Sequence, residues 1–464
     1  MNPQLDFSPE RMREIGYRVI DQIVEHLATL GDQRVGTKAD PAQLRPALME
    51  PVPEHPADFE TVLAQLDRDV LRNTMHVNHP RFFAYVPGPS NFVSAMADAI
   101  ISGYNVFAGT WVSGSGPAAV ELAVIHWLRE ICGLPASAGG LFVSGGTMAN
   151  LTALAVARHA KLGESADRAT VYFSDQAHSS LEKALRVIGI AAESIRKLPS
   201  DSDYRLSIRD LAQTIDKDRA AGEKPFCVIA NAGTTNTGAI DPLPELARLC
   251  REQGLWLHID GAYGAAAAAS ERGRALLAGL DLADSLSLDP HKWLFQPFEI
   301  GCVLVRDGSL LSDTFLILPE YLKDTHQHSA EFNFTDHGLQ LTRGFRALKL
   351  WMSIKVFGMA AFRAAIDRGF QLAEFTEACI RKMPGWEIVT PACMGIVCFR
   401  YTRADDAAHL GLVQTLLQDG FTLITSTVLR HRTVLRTCTI NPRTTETDIQ
   451  QSLERLDSFA RRLT

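Results

Sequence analysis

Apolar residues Met12, Ile15, Val19, Ile23, Leu27 and Leu30 recur at three- and four-residue steps directly after a Ser8–Pro9 pair. This pattern predicts an amphipathic first helix that starts at that pair. Residues 36–59 then hold five prolines, which favour an extended arm with a short helical turn or two. An arm with so little core of its own is expected to lie on something else.

From about residue 90 to 305 the pattern changes. Short apolar runs (GGLFVS, ATVYFS, PFCVIAN, LWLHID, IGCVLV) alternate with helical stretches that begin near Thr147, His178 and Leu243. That alternation predicts an α/β fold with a mostly parallel sheet covered by helices, whose ligands gather at the carboxyl ends of the strands. A long helix follows near Phe345–Phe357. The tail (WEIVT, GIVCFRY, TVLRTCTI, then a helix from Thr447) reads as a smaller α+β domain. Three regions are expected: an arm over 1–85, a large domain over 86–356 and a small domain over 357–464.

Length and charge narrow the partners. The 464 residues are 46% hydrophobic, enough to bury large cores, and the net charge is −7. No basic patch points to nucleic acid, no apolar run is long enough to span a membrane, and the first thirty residues lack the form of a secretion signal. Eight scattered cysteines without metal-like spacing fit a reducing cytoplasm. A small-molecule partner is expected.

Four motifs carry candidate chemistry. In LFVSGGTMAN, Gly146 and Thr147 lie between a strand and a helix, either as a tight turn or as an anion cradle. In LHIDGAYG, Asp260 ends an apolar strand, either capping the next turn or holding a proton on a heterocyclic nitrogen, with Ala262 small enough to lie beneath a flat ring. His178, in SDQAHSSLEKA, is either structural or a stacking partner for that ring. In SLDPHKWLF, Lys292 interrupts a run that otherwise reads as buried sheet, and a lysine there can form a Schiff base with an aldehyde. Together the four are what pyridoxal 5′-phosphate requires.

The stretches HPRFFAYVP, FVSGGTMAN, SDQAHSSLEKA, HIDGAYG, DPHKWLF, PEYLKD and TRGFRALKLW resemble the group II pyridoxal-phosphate decarboxylases, particularly the aromatic-L-amino-acid branch, over nearly the whole chain. The resemblance implies the aspartate-aminotransferase-like (type I) fold in a homodimer, with the arm packed on the partner. It implies that Lys292 bonds the cofactor, Asp260 pairs its ring nitrogen, His178 stacks on the ring and Ala262 underlies it. It also implies that Gly146, Thr147 and His291 face the phosphate, with Thr235 near the ring substituents. Tyr321 in LPEYLKD matches a loop tyrosine that returns a proton to the substrate carbon, and its retention favours simple decarboxylation over aldehyde formation. The polar stretch after it suits a lid; His326 and His328 within it read as solvated rather than as a metal pair.

Side-chain pocket positions implied by the resemblance are Phe83, Tyr85, Val86, Pro87 and Trp111, flat or apolar walls that suit an aromatic amino acid. Val77 stands where relatives commonly carry tryptophan, which widens the pocket and makes tryptophan as good a candidate as tyrosine, phenylalanine or DOPA. Decarboxylation of an acidic amino acid, and decarboxylation-dependent aldehyde synthesis, remain the alternatives. Asp289 stands where relatives often have asparagine; a carboxylate beside a phosphate would repel it, so either Asp289 is expected to turn elsewhere or the contact is lost.

Overall fold

Parallel strands buried on both faces need unbroken apolar sequence, and the central sheet meets that need. The computed structural model describes residues 5–317 and 331–462. Its seven-stranded sheet comprises β1 (Gly139–Val143), β2 (Ala169–Ser174), β3 (Ile195–Leu198), β4 (Lys224–Asn231), β5 (Trp256–Asp260), β6 (Ser285–Leu288) and β7 (Gly301–Val305), in the order β1-β7-β6-β5-β4-β2-β3. Every residue of β2, β5, β6 and β7 is buried. Only β7 runs against its neighbours, β1 and β6. Its register pairs Gly301 with Val143 and Cys302 with Leu288, so the start of β7 lies at the same edge as the ends of β1 and β6.

Helices Gly146–Leu162, Ser180–Val187 and Leu243–Gln253 follow β1, β2 and (after a turn) β4, close to where the periodicity places them. Lys292 differs from expectation. β6 stops at Leu288, and Asp289–Ile300 forms a turn-rich loop before β7. Pro290 lacks the N–H that a continuing ladder would need.

The helix Ala347–Arg381 spans 35 residues but leaves helical geometry at Gly358 (φ 75°, ψ 151°), a left-handed value that glycine takes readily. Beyond it, β8 (Trp386–Cys393), β9 (Ile396–Tyr401), β10 (Thr425–Leu429) and β11 (Arg432–Cys438) form an antiparallel sheet in the order β10-β11-β9-β8.

The first helix, Pro9–Thr29, begins where its cap signal places it: Ser8 Oγ accepts from the Arg11 amide at 3.3 Å. None of its residues is buried, and Tyr17 and Val24 are exposed. Two short stretches of the arm, around Val35 and around Phe82–Ala84, dock on the small domain of its own chain. The Val35 N–H donates to Gly420 O, the Phe83 N–H donates to Leu423 O and the Cys438 N–H donates to Phe83 O, while Val35, Phe82, Ala84 and Leu423 share a small apolar cluster. No helix among the described residues is long and apolar enough to cross a membrane.

Candidate active site

Five strand ends converge on one cavity of about 360 Å³. From β1 the chain passes through Ser144 and Gly145 into a helix whose N-cap glycine offers no side-chain cap, so the first-turn amides remain suited to an anion. Glycine is required at 146 by close approach: a Cβ there would lie 2.8 Å from Asp289 Oδ2 and 3.0 Å from the Ala262 methyl.

Asp260, at the end of β5, is almost fully buried. Its Oδ1 accepts from Ser287 Oγ at 3.0 Å and from the Ala262 amide at 3.1 Å, and its Oδ2 accepts from Asn150 Nδ2 at 3.0 Å. Burial opposes ionisation, but His258, the Ala262 amide, Lys292 and His178 outweigh it and hold the carboxyl below the usual aspartate range. Hydrogen-bonded and ionised, it can keep a proton on a ring nitrogen set against it.

A row of hydrogen bonds runs behind Asp260. Asn150 Oδ1 lies 3.0 Å from His258 Nε2, His258 Nδ1 lies 2.9 Å from Ser285 Oγ, and Ser285 Oγ accepts from Trp256 Nε1 at 2.8 Å. Because a carboxylate only accepts, Asn150 presents its NH₂ to Asp260 and its carbonyl to His258. His258 therefore carries its proton on Nε2. Burial drives this histidine down to about 4, which leaves it neutral near pH 7. Asn150 Nδ2 also donates to Ser180 Oγ at 3.2 Å, and Ser180 Oγ lies 2.8 Å from His178 Nδ1. One amide thus ties together the carboxylate expected at the ring nitrogen and the histidine expected on a face of the ring.

Lys292 Nζ sits 2.9 Å from Asp289 Oδ2. His291 accepts the Ile300 N–H at Nδ1 (3.3 Å) and directs Nε2 towards the same carboxylate at 3.6 Å; burial pushes its pKa down. Asp289 has not turned away: it is 1% exposed and its carboxylate lies against Gly146, because the tight loop after β6 folds the side chain back over the end of β1.

All eight cofactor-side residues read from the sequence, Gly146, Thr147, His178, Thr235, Asp260, Ala262, His291 and Lys292, line this cavity. The expected substrate-side residues do not. Phe83 is 2% exposed and sealed in the small-domain core, because its backbone bonds to Leu423 and Cys438 and its side chain faces that core while Phe82 and Ala84 face a separate apolar cluster. Tyr85 is exposed, Val86 half-buried and Pro87 buried. The Trp111 N–H donates to Asn333 Oδ1 at 2.9 Å. Val77 comes nearer: Val77 and Phe298 both lie against Gly88, and the Phe298 ring is 4.9 Å from that of His291. Tyr321, His326 and His328 lie outside the described residues. Sequence reasoning missed Asn150, Ser180, His258 and Ser287, although helical spacing puts Asn150 one turn after Gly146 and strand alternation puts His258 on the face of Asp260.

The ammonium, the buried ionised carboxylate, the uncapped helix start and the open imidazole face fit pyridoxal 5′-phosphate and define a pyridoxal-phosphate site on an α/β sheet. Residues 41–402 match the pyridoxal-dependent decarboxylase conserved domain, and the chain belongs to that family: it is a pyridoxal-phosphate-dependent amino acid decarboxylase of the type I fold. It is 48% identical to an aromatic-L-amino-acid decarboxylase of Bacillus atrophaeus, with 99% of this chain and 98% of that protein covered. It is 30% identical to a phenylacetaldehyde synthase of Arabidopsis thaliana over 96% of this chain and 94% of that one. Among solved structures, Oryza sativa TDC with PLP and tryptamine superposes with a TM-score of 0.94 at 27% identity, covering 99% of this chain and 100% of that one.

Proposed function

We propose that this decarboxylase converts an aromatic L-amino acid to its amine and carbon dioxide, as a cytoplasmic homodimer. The observation that carries the substrate reading is the near-complete alignment, at 48% identity, with the Bacillus aromatic-L-amino-acid decarboxylase. The site agrees with it: among the described residues lining the cavity, Lys292 is the only lysine or arginine, so a second substrate carboxylate would find no free cation. The apolar wall of Val77, Gly88 and Phe298 beside His291 suits a flat side chain.

Gly146, Thr147 and His291 would hold the phosphate, Lys292 the aldehyde carbon, Asp260 the ring nitrogen, and His178, Ala262 and Thr235 the ring. Once bound, the cofactor supplies an electron sink for the bond that breaks. Asp260, kept ionised by Ser287, the Ala262 amide and Asn150, holds the ring-nitrogen proton. Lys292 gives up its place to the substrate amine and returns to release the product amine, and Tyr321 delivers the proton to the carbon that has lost its carboxylate. Tyr85, Val86, Pro87 and Trp111 belong to walls that a second copy of the chain completes, whereas Phe83 supports them from within the small-domain core. The exposed apolar residues of the first helix, with Ile100, Tyr104, Val112, Val356 and Phe357 elsewhere on the surface, support a large interface between copies. Eight unpaired cysteines suit a reducing compartment.

The test is an amino-acid panel on the purified protein, with amine, aldehyde and hydrogen peroxide all assayed. Amines from tryptophan, tyrosine, phenylalanine or DOPA are expected. Turnover of glutamate or cysteine sulfinate instead, or aldehyde and peroxide as main products, would overturn the reading.

A further inference from the structure

Of the charged groups that line the cavity, the chemistry above leaves Asp289 and Glu299 without a task; Glu299 is paired with Arg346 at 2.8 Å, whereas Asp289 is buried and only partly satisfied. It is 1% exposed, and its Oδ1 has no hydrogen-bond partner among the described residues, an arrangement that costs free energy unless something else requires it. Its other oxygen lies against Gly146, at the start of a 17-residue helix whose first-turn amides carry a partial positive charge. A Cβ at Gly301 would approach Oδ1 to 2.7 Å, so two glycines, on β7 and at the helix start, leave room for this carboxylate. Around it stand Lys292 at 2.9 Å and His291 at 3.6 Å.

We propose that Asp289 is an internal anion of the phosphate cradle: it sets the strength of cofactor binding by opposing the phosphate, and it holds Lys292 towards the cradle until the cofactor arrives. The inference rests on the placement of the phosphate at Gly146 and Thr147 proposed above. The electrostatics favour it. Lys292, the one ammonium beside Asp289, is also the group that must engage the cofactor aldehyde, so its nitrogen would be drawn from Asp289 towards the aldehyde carbon as the phosphate arrives. Two anions then share one helix N-terminus at short range, where partial burial limits screening. The chain gains an exchangeable cofactor, loaded according to its concentration in the cell rather than held throughout the life of the protein.

The test compares phosphorylated and unphosphorylated ligands on the full-length protein freed of cofactor by dialysis against hydroxylamine. Dissociation constants for pyridoxal 5′-phosphate and pyridoxal are measured for the native chain, Asp289→Asn, Asp289→Ser and Thr147→Val. An effect on Lys292 alone changes both ligands together, whereas repulsion of the phosphate changes their ratio. Both Asp289 variants are expected to shift that ratio in favour of the phosphorylated ligand by on the order of tenfold; Asp289→Ser gives a reading should the asparagine variant not fold. Thr147→Val shifts the ratio the other way. A ratio that stays the same or moves against the phosphorylated ligand in the Asp289 variants, while Thr147→Val loosens it, overturns the inference and leaves the cradle standing. A ratio that moves in none of them overturns both.

Discussion

Replacing Asn150 with alanine removes three hydrogen bonds at once, and the consequence can be worked from the structure. The side chain donates to Asp260 at 3.0 Å and to Ser180 at 3.2 Å, and accepts from His258 at 3.0 Å. A hydrogen bond to a charged partner contributes about 1.5–3 kcal/mol, and a buried donor left without an acceptor costs about 1–3 kcal/mol. The His258 Nε2–H becomes such a donor, since His258 is fully buried. The expected loss of stability is therefore about 3–5 kcal/mol, towards the lower end if water enters the space left by the amide. Urea unfolding of the native and variant chains at pH 7, followed by circular dichroism without cofactor, measures it. A difference below about 1 kcal/mol would refute the reasoning. Asn150→Asp should be worse than alanine, because it sets a second carboxylate against Asp260; a more stable aspartate variant would count equally against the hydrogen-bond assignment.

His258 supplies a pH dependence. Its folded-state value is driven down to about 4, whereas in the unfolded chain it titrates near about 6.5; between those values only the unfolded chain binds the proton, so stability falls as pH falls. About 2 kcal/mol should be lost between pH 6.5 and 5, a slope that His258→Gln removes; equal slopes in urea titrations of the two chains would exclude this. Arg343 donates to Glu121, Phe142 O and Ala108 O, with both charged side chains fully buried. Arg343→Met strands the Glu121 charge and should cost about 3–5 kcal/mol, part of it restored by adding Glu121→Gln; a melting temperature that stays at the native value would count against it. Lys292→Ala should leave no cofactor attached after borohydride reduction and denaturation, so retained label would identify a different anchoring residue.

The sheet was legible because its strands are apolar runs of four to eight residues punctuated by glycine, proline and polar ends, each handing over to a helical period. The cofactor side was legible for a related reason: a lysine, an aspartate or a paired glycine at the end of such a run stands out from its neighbours. β3, IRKL, was missed because half-exposed edge strands need no apolar run. Asn150 and Ser180 were missed because an amide and a hydroxyl are common at the starts of helices, and only the distances to Asp260 and His178 reveal what they do. Asp289 was expected, from a charge argument alone, to turn elsewhere or to forgo contact with the phosphate. The loop after β6 fixes its direction instead, and charge repulsion with a ligand does not fold the chain. The substrate walls were the least legible, because Phe83, Tyr85, Val86 and Pro87 lie on a segment whose position is set by the small domain rather than by the sheet.

The row of hydrogen bonds from Trp256 to Asp260 begins at an indole N–H, which can only donate, and ends at an ionised carboxylate, which can only accept. Its sense cannot reverse, so it cannot relay a proton: no member can pass one forward and be resupplied from behind. The protein wall beneath the carboxylate is thus closed to proton traffic, although it is built from groups that elsewhere carry protons. Protons exchanged during turnover are therefore not supplied along this row, and the cavity side of Asp260, where Lys292 and His178 stand, is left to carry them.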